Sequence, residues 1–396
     1  LSVQRSSAWL VLLAGVAAAL HVGKLPPALP VLREALGLSL VQAGFLLSLV
    51  QLAGMTLGLV VGLAADSIGA KRTMVAGLLL TAAASIAGGW VTAPAPLLVL
   101  RAVEGLGFLL GSLPAPALIR RLVPAERLSP MLGLWSTFMP VATALALLVG
   151  PAWIAWAGWP AWWWLLGAFS LVMAVWLGRA LPPDRHAGAA ADVGTRVAQT
   201  LGAPGPWLVA LAFGAYSAQW LAVIGFLPSI YRDAGLAPGW TALATAGAAA
   251  VNIVGNLASG RLLQRGVRAP RLLALGFFSM GVGGVLAFSP LAGEGAAGAL
   301  LRYAGVLALS GIGGVIPGTL FSLAVRLAPG ERTVSTTVGW MQQWSAIGQF
   351  AGPPLVAWVA SRAGGWESSW LVTGGCALAG LALAAVASRL PPLRGH

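Results

Sequence analysis

The chain has 396 residues, of which 58% are hydrophobic and 8% charged, with a mean hydropathy of +0.87. Soluble domains carry roughly 25% charged residues, so a soluble enzyme is excluded and the chain belongs in a bilayer. The net charge of +13 would suit nucleic acid if it formed one surface, but it is spread over short polar breaks, and no nucleic-acid partner is expected.

Apolar stretches of about 20 residues match a bilayer core of ~30 Å crossed at 1.5 Å per residue. Twelve are predicted: 8–30, 41–64, 72–92, 96–118, 129–154, 160–180, 206–231, 238–262, 270–290, 298–324, 334–360 and 368–389. They define an all-α polytopic membrane protein. Its second half repeats the first. Trp9-Leu10-Val11, Pro30, Arg33-Glu34 and Gly62 return 198 or 199 residues later as Trp207-Leu208-Val209, Pro228, Arg232-Asp233 and Gly260. Pro124, Gly150-Pro151 and Gly158-Trp159 return as Pro329, Gly352-Pro353 and Gly365-Trp366. Two copies in the same sense imply two six-helix bundles related by an axis along the membrane normal. The predicted units are 1–181, a linker at 182–205, and 206–396. With the N-terminus inside, seventeen of twenty loop cations fall on the side of the termini, leaving only Arg33, Arg232 and Arg362 opposite. That bias predicts cytoplasmic termini.

In the first stretch His21 and Lys24 are three residues apart, hence on one helical face, and are followed by Pro26, Pro27 and Pro30. Pro26 and Pro27 cannot donate to the carbonyls of Val22 and Gly23, which predicts an interrupted helix beside Lys24. Broken helices beside a charge are where secondary carriers place their sites. A lysine that contacts substrate and one that snorkels to the headgroups both stay open.

Between the second and third stretches lies Gly62-Leu63-Ala64-Ala65-Asp66-Ser67-Ile68-Gly69-Ala70-Lys71-Arg72. Asp66 at a helix end can pair with a cation or cap a neighbouring helix; a solvated turn with a topology-setting Lys71-Arg72 pair is the alternative. In the fourth stretch Arg101 and Glu104 share a face, and charges at membrane depth pair or face a cavity. A self-neutralising pair, a proton-exchanging Glu104 governed by Arg101, and direct substrate contact all remain open. Trp153, Trp156, Trp159, Trp162, Trp163 and Trp164 read as an interfacial aromatic belt. The seventh stretch supplies Tyr216, Gln219 and Trp220, with Gln219 opposite His21 in the repeat, and the tenth supplies Arg302. Arg302 either joins the cavity or anchors at the interface.

Other chemistries lack their signatures. Neither Lys24 nor Lys71 stands in a phosphate-binding Gly-x4-Gly-Lys-[Ser/Thr] loop, and hydrolase and zinc-protease motifs are absent. No cofactor and no metal is expected. The single cysteine, Cys376, reads as packing. Arg5 precedes a long first stretch with no small-residue cleavage site, so no cleavable signal is expected. Abundant Ala, Gly and Arg suggest a GC-rich bacterial genome and hence an inner-membrane location.

The loop at 62–72 resembles the signature loop of the major facilitator superfamily, Gly-x-x-x-Asp-x-x-Gly-x-[Lys/Arg]-[Lys/Arg], and Arg101-Ala102-Val103-Glu104-Gly105-Leu106-Gly107 resembles that family's Arg-x-x-x-Gly-x-Gly motif. The resemblance implies the major facilitator fold and transport by alternating access. It implies that Asp66, with Lys71 and Arg72, latches the halves on the cytoplasmic side, with Arg120 or Arg121 as partner. The second copy has Gln264 where Asp66 would fall, so the latch is expected to be one-sided. It also implies a cavity lined by stretches one, four, seven and ten, where His21, Lys24, Arg101, Tyr216, Gln219 and Arg302 would bind substrate and Glu104 would couple protons. His21 to Pro27, Arg101 to Phe108 and Gly133 to Ser136 are most similar to the cyanate-permease-like branch, which implies a small anionic substrate held by Lys24. Only Gly150-Pro151 remains of an antiporter-type motif, which weighs against drug efflux. A cation, metal or drug carrier on the same fold and a non-transporting sensor are the alternatives. The expected partners are this solute, the lipid bilayer and protons, and the expected state is a monomer.

Overall fold

The computed structural model describes residues 2–124, 131, 134–184, 193–330 and 333–390, excluding the side chains of 2–6, 62–68 and 335. Every regular element among them is helical. Ten segments are long and apolar enough to cross a membrane. The longest, Phe138–Ala180, is two spans joined at Gly158, whose φ of 82° is open to glycine and costly for other residues. Helix Val334–Ala363 completes twelve.

Numbered in chain order, spans 1 to 6 are Ser7–Leu36, Leu40–Ile68, Ala70–Gly88, Pro94–Leu122 and the two parts of Phe138–Ala180. Spans 7 to 12 are Pro204–Asp233, Pro238–Gln264, Ala269–Phe288, Gly295–Leu327, Val334–Ala363 and Trp366–Arg389. Residues 185–192 of the expected linker and Arg127 lie outside the described residues. Inside the linker the structure adds a helix, Val193–Gly202. Its single buried residue is Thr200, and Trp207 Nε1 donates to the Leu201 carbonyl at 2.8 Å.

Small residues set the packing, as expected where apolar burial cannot drive helices together in lipid. A Cβ on Gly77 would lie 2.6 Å from the Gly107 carbonyl oxygen, and one on Gly283 would lie 2.5 Å from that of Gly305. Spans 3 and 4, and spans 9 and 10, therefore meet backbone to backbone. The apolar core forms two main clusters, one dominated by spans 1 to 6 and one by spans 7 to 12.

The two sets of spans meet chiefly through spans 2 and 11 and spans 5 and 8. Away from the termini, Arg232 Nη2 on span 7 donates to Glu34 Oε1 on span 1 at 2.5 Å, while within the second set Trp366 Nε1 donates to Asp233 Oδ2 at 3.3 Å. Gly44 abuts Pro353 and Pro354 so tightly that a Cβ would lie 2.9 Å from the Pro354 Cα. Nearer the middle, Gln51 Nε2 donates to Gln349 Oε1 at 3.0 Å. Gln343 uses both ends of its carboxamide, accepting from the Leu59 N–H at 3.1 Å and donating to the Met55 carbonyl at 2.9 Å.

Candidate functional site

Span 1 breaks at Lys24, between helices Ser2–Gly23 and Leu25–Leu36. Lys24 keeps right-handed helical dihedrals (φ −65°, ψ −24°), and its N–H still reaches the Leu20 carbonyl at 2.7 Å. The expected interruption is thus a bend, not an unwound segment. Two carbonyls at the bend are taken by side chains. Arg101 Nη1 donates to His21 O at 2.7 Å, and Trp162 Nε1 to Lys24 O at 3.1 Å.

Around that bend the structure gathers His21, Lys24, Arg101 and Glu104, all buried. Glu104 bridges the two cations, one carboxylate oxygen on Lys24 Nζ and the other on Arg101 Nη1. His21 Nδ1 lies 3.8 Å from the same Glu104 oxygen and 3.3 Å from Lys24 Nζ, while its Nε2 meets Ser170 Oγ at 2.8 Å. Lys24 also donates to Ser85 Oγ at 2.8 Å and sits 4.5 Å from the Trp163 ring centroid. Ser85 passes a hydrogen bond to the Trp163 carbonyl at 2.8 Å. Arg101 Nε donates to the Leu46 carbonyl at 3.3 Å, beside the 3-10 turn Leu49–Gln51 of span 2. With His21 neutral, the cluster carries one surplus positive charge.

Trp162 and Trp163 correct the sequence reading. They are 2% and 0% exposed and belong to this cluster, whereas Trp156 is 79% exposed as a belt residue should be. Ser85 and Ser170 were missed outright, since a lone serine in an apolar span gives no pattern to read.

Between the two sets of spans lies a cavity of about 180 Å³, well beyond the ~10–15 Å³ that holds one water. It occupies the half of the membrane nearer the termini, reaching Pro116 on span 4, Trp135 at the start of span 5 and Val338 on span 11. Among the described residues no charged side chain lines it. Tyr216 lines it; Gln219, Lys24, His21, Arg101 and Glu104 do not. Gln219 is buried in the second set of spans, its Nε2 on the Ala215 carbonyl at 3.2 Å. Arg302 is half-buried near the opposite rim, donating to Gly293 O at 3.4 Å. The polar lining the sequence reading missed comes from amides and hydroxyls: Gln51, Ser217, Asn252, Asn256, Ser345 and Gln349.

At the signature loop, the Asp66 side chain lies outside the described residues. Arg121, one of its two candidate partners, pairs with Asp184 at 3.2 Å, and Arg120 is exposed. Asp184 also accepts from the N–H groups of Lys71 at 3.1 Å and Arg72 at 3.0 Å, capping span 3 from the end of span 6. Lys71 Nζ donates to the Leu181 carbonyl at 2.6 Å. Gly69, at φ 103°, leaves room for that carboxylate, since a Cβ there would fall 2.3 Å from Asp184 Oδ2. Partial burial works to raise the pKa of Asp184, but the Arg72 and Lys71 N–H groups and then Arg121 outweigh it and hold the carboxyl below its usual range.

The chain matches the Major Facilitator Superfamily over residues 11–353. It belongs to that superfamily. It is therefore a multi-pass membrane transporter rather than an enzyme. Among curated proteins it is similar to an uncharacterized MFS-type transporter, Rv1250, of Mycobacterium tuberculosis (strain ATCC 25618 / H37Rv), with 31% identity over 134 residues. That match covers 32% of this chain and 23% of the relative's length. Among solved structures, the chain superposes on a bacterial homologue of the human lysosomal transporter Spinster in an inward-facing, unoccupied conformation. The TM-score is 0.77, at 15% identity over 99% of this chain and 98% of the other. The occupied inward-facing form of that homologue gives 0.76, at 16% identity over 96% of each chain. At such identities the likeness is one of fold.

Proposed function

We propose that this major facilitator protein carries one small solute through the cavity between bundles 1–181 and 206–396, with the linker at 182–205 letting them rock. The observation that carries this reading is the cavity itself, bounded by both bundles and closed away from the termini by the Arg232–Glu34 pair and the packing of Gly44 on Pro353 and Pro354. The termini face the cytoplasm of an inner membrane, as the loop cations favour, and the monomer is the working unit. Asp66, with Lys71 and Arg72, contributes to closing the cytoplasmic side when the cavity faces outward.

The buried cluster is the coupling element. Glu104, held by Lys24 and Arg101 next to His21, can exchange a proton only when the helices around it part, which ties protonation to the conformational change. An anion bound by Lys24 is the second reading. It is favoured by the surplus positive charge of the cluster, and it requires Lys24 to turn from Glu104 toward the cavity.

Lys24→Gln separates the two, because it leaves the Arg101–Glu104 pair charge-balanced. In proteoliposomes given a panel of radiolabelled solutes, coupling predicts that counterflow survives while the response to a pH gradient disappears. Loss of counterflow for anions alone supports the second reading. A full gradient response in Lys24→Gln overturns the coupling role.

A further inference from the structure

We infer that the cavity selects an uncharged solute that combines hydrogen-bond donors and acceptors with an aromatic or hydrocarbon surface. This rests on the carrier reading above and names its substrate class.

Both bundles line the cavity with rings and polar groups: Gln51, Ser112 and Ser136 accompany the rings of the first, and Phe213, Trp220 and Phe321 accompany the amides of the second. From the first comes a stack of rings: Phe108 over Phe138, centroids 6.5 Å apart and 20° from parallel, and Phe138 over Trp135, 4.4 Å apart and 11° from parallel. From the second comes a hydrogen-bonded row left open at both ends. Asn256 Nδ2 donates to Asn252 Oδ1 at 2.8 Å, and Asn252 Nδ2 donates to Tyr216 Oη at 2.9 Å. The Tyr216 oxygen is thereby used as an acceptor, and its own hydrogen has no acceptor among the described residues. At the other end, Asn256 is 6% exposed and its Oδ1 has no partner among the described residues. Beside them Ser217 and Ser345 share one hydrogen bond at 2.7 Å, which leaves one hydroxyl hydrogen uncommitted. The open positions are donors and an acceptor side by side.

That mixture suits hydroxyl and amide groups, which both donate and accept. It does not suit an ion. A buried charge needs an opposite charge or several like-signed dipoles, and among the described residues the lining offers no charged partner. An anion would meet the Asn256 oxygen, and a cation would find no carboxylate. Lys24, Arg101 and Glu104 pair with one another outside the cavity wall.

Isothermal titration of the full chain in detergent tests this with three probes of one size and shape: phenyl β-D-glucopyranoside, uncharged, against its 4-carboxylate and 4-trimethylammonium derivatives, with uridine as a second uncharged probe. Saturable binding of at least one uncharged probe is expected, with both ions at least about 10-fold weaker. Tyr216→Phe and Asn256→Leu should each weaken the uncharged probe about 5- to 10-fold, the loss of one neutral hydrogen bond, with melting temperatures confirming that both variants fold. No binding by either uncharged probe, tighter binding by an ion, or indifference to both substitutions overturns the inference. Counterflow of the bound probe is read separately. A probe that binds as described yet is never carried refutes the carrier reading and leaves the assigned ligand class standing.

Discussion

The two bundles solve the same packing problem with opposite chemistry. In the first, span 1 breaks at Lys24, span 2 slips into a 3-10 turn at Leu49–Gln51, and the core holds three formal charges. In the second, spans 7 and 8 run unbroken over Pro204–Asp233 and Pro238–Gln264, and the core is held by amides and hydroxyls. At the repeat offset of 198, Gln219 stands for His21 and Ala222 for Lys24. The charges draw on the backbone carbonyls of His21 and Leu46, on spans that depart from a regular helix at Lys24 and at Leu49–Gln51. The amides draw on the Ser310 carbonyl, beside the interruption of span 10 between Gly311 and Val315. One bundle buries charges and the other neutral groups, and each borrows a carbonyl next to a break in a helix.

The sharpest way to break this contrast is to strip one buried polar side chain from each core. Glu104→Gln leaves Lys24 and Arg101 buried without their counter-ion, and should cost about 3–5 kcal/mol, the range for breaking a buried ion pair. Gln219→Leu, which removes a buried amide whose Oε1 has no partner among the described residues, should stay within about 1 kcal/mol. Thermal unfolding in one detergent compares them, and equal losses would erase the distinction.

A smaller effect is expected inside the neutral core. Asn252→Leu removes hydrogen bonds to Tyr216 and the Ser310 carbonyl and the one received from Asn256, for about 1–3 kcal/mol. If its melting curve matches that of the unaltered chain, the amide row is not structural.

At the loop between spans 2 and 3, Asp184→Ala uncaps span 3 and should cost about 1–2 kcal/mol. Because folding lowers the pKa of this carboxyl, its contribution is complete above the ordinary carboxylate pKa and is lost as pH falls through the folded value. Solvent tempers the size of the loss, since Arg121 is 37% exposed. Stability that differs between Asp184→Ala and the parent by the same amount at pH 3 and pH 7 would rule this out.

The smallest effect belongs to the exposed Arg232–Glu34 pair between the bundles. Glu34→Ala should shift the balance of closed and open forms by no more than about 1 kcal/mol, read as a few-fold population change by distance measurements between labels at Gly37 and Gly235. A complete shift would make this pair the principal gate.

Twelve spans and the doubled architecture were legible because hydropathy and repetition are properties of long stretches. His21, Lys24, Arg101 and Glu104 announced themselves as charges in apolar runs, and three-residue spacing put each pair on one face. What could not be read was which way they turned. The same spacing serves a cavity-lining cation and one that faces into its own bundle, and the choice was made by Ser85, Trp163 and Ser170 on other helices. Arg302 went the other way, to the opposite rim, because its position near a span end lets a long side chain reach out. The cavity amides escaped notice since Asn and Gln in a span look alike whether they cap a neighbour or await a ligand. Asp184 was hidden by its setting at the edge of a polar linker, with nothing to connect it to a loop more than a hundred residues earlier.

Gln343 sets a condition on any motion between the bundles. Its carboxamide holds the Met55 carbonyl and the Leu59 N–H, and these are four residues apart, the spacing of a helical hydrogen bond. When the bundles part, span 2 can close that bond upon itself, so neither group is stranded in a medium without water. The contact between the bundles is thus exchangeable rather than merely breakable. The helix and its visitor compete for the same two atoms, and separation trades one satisfied arrangement for another.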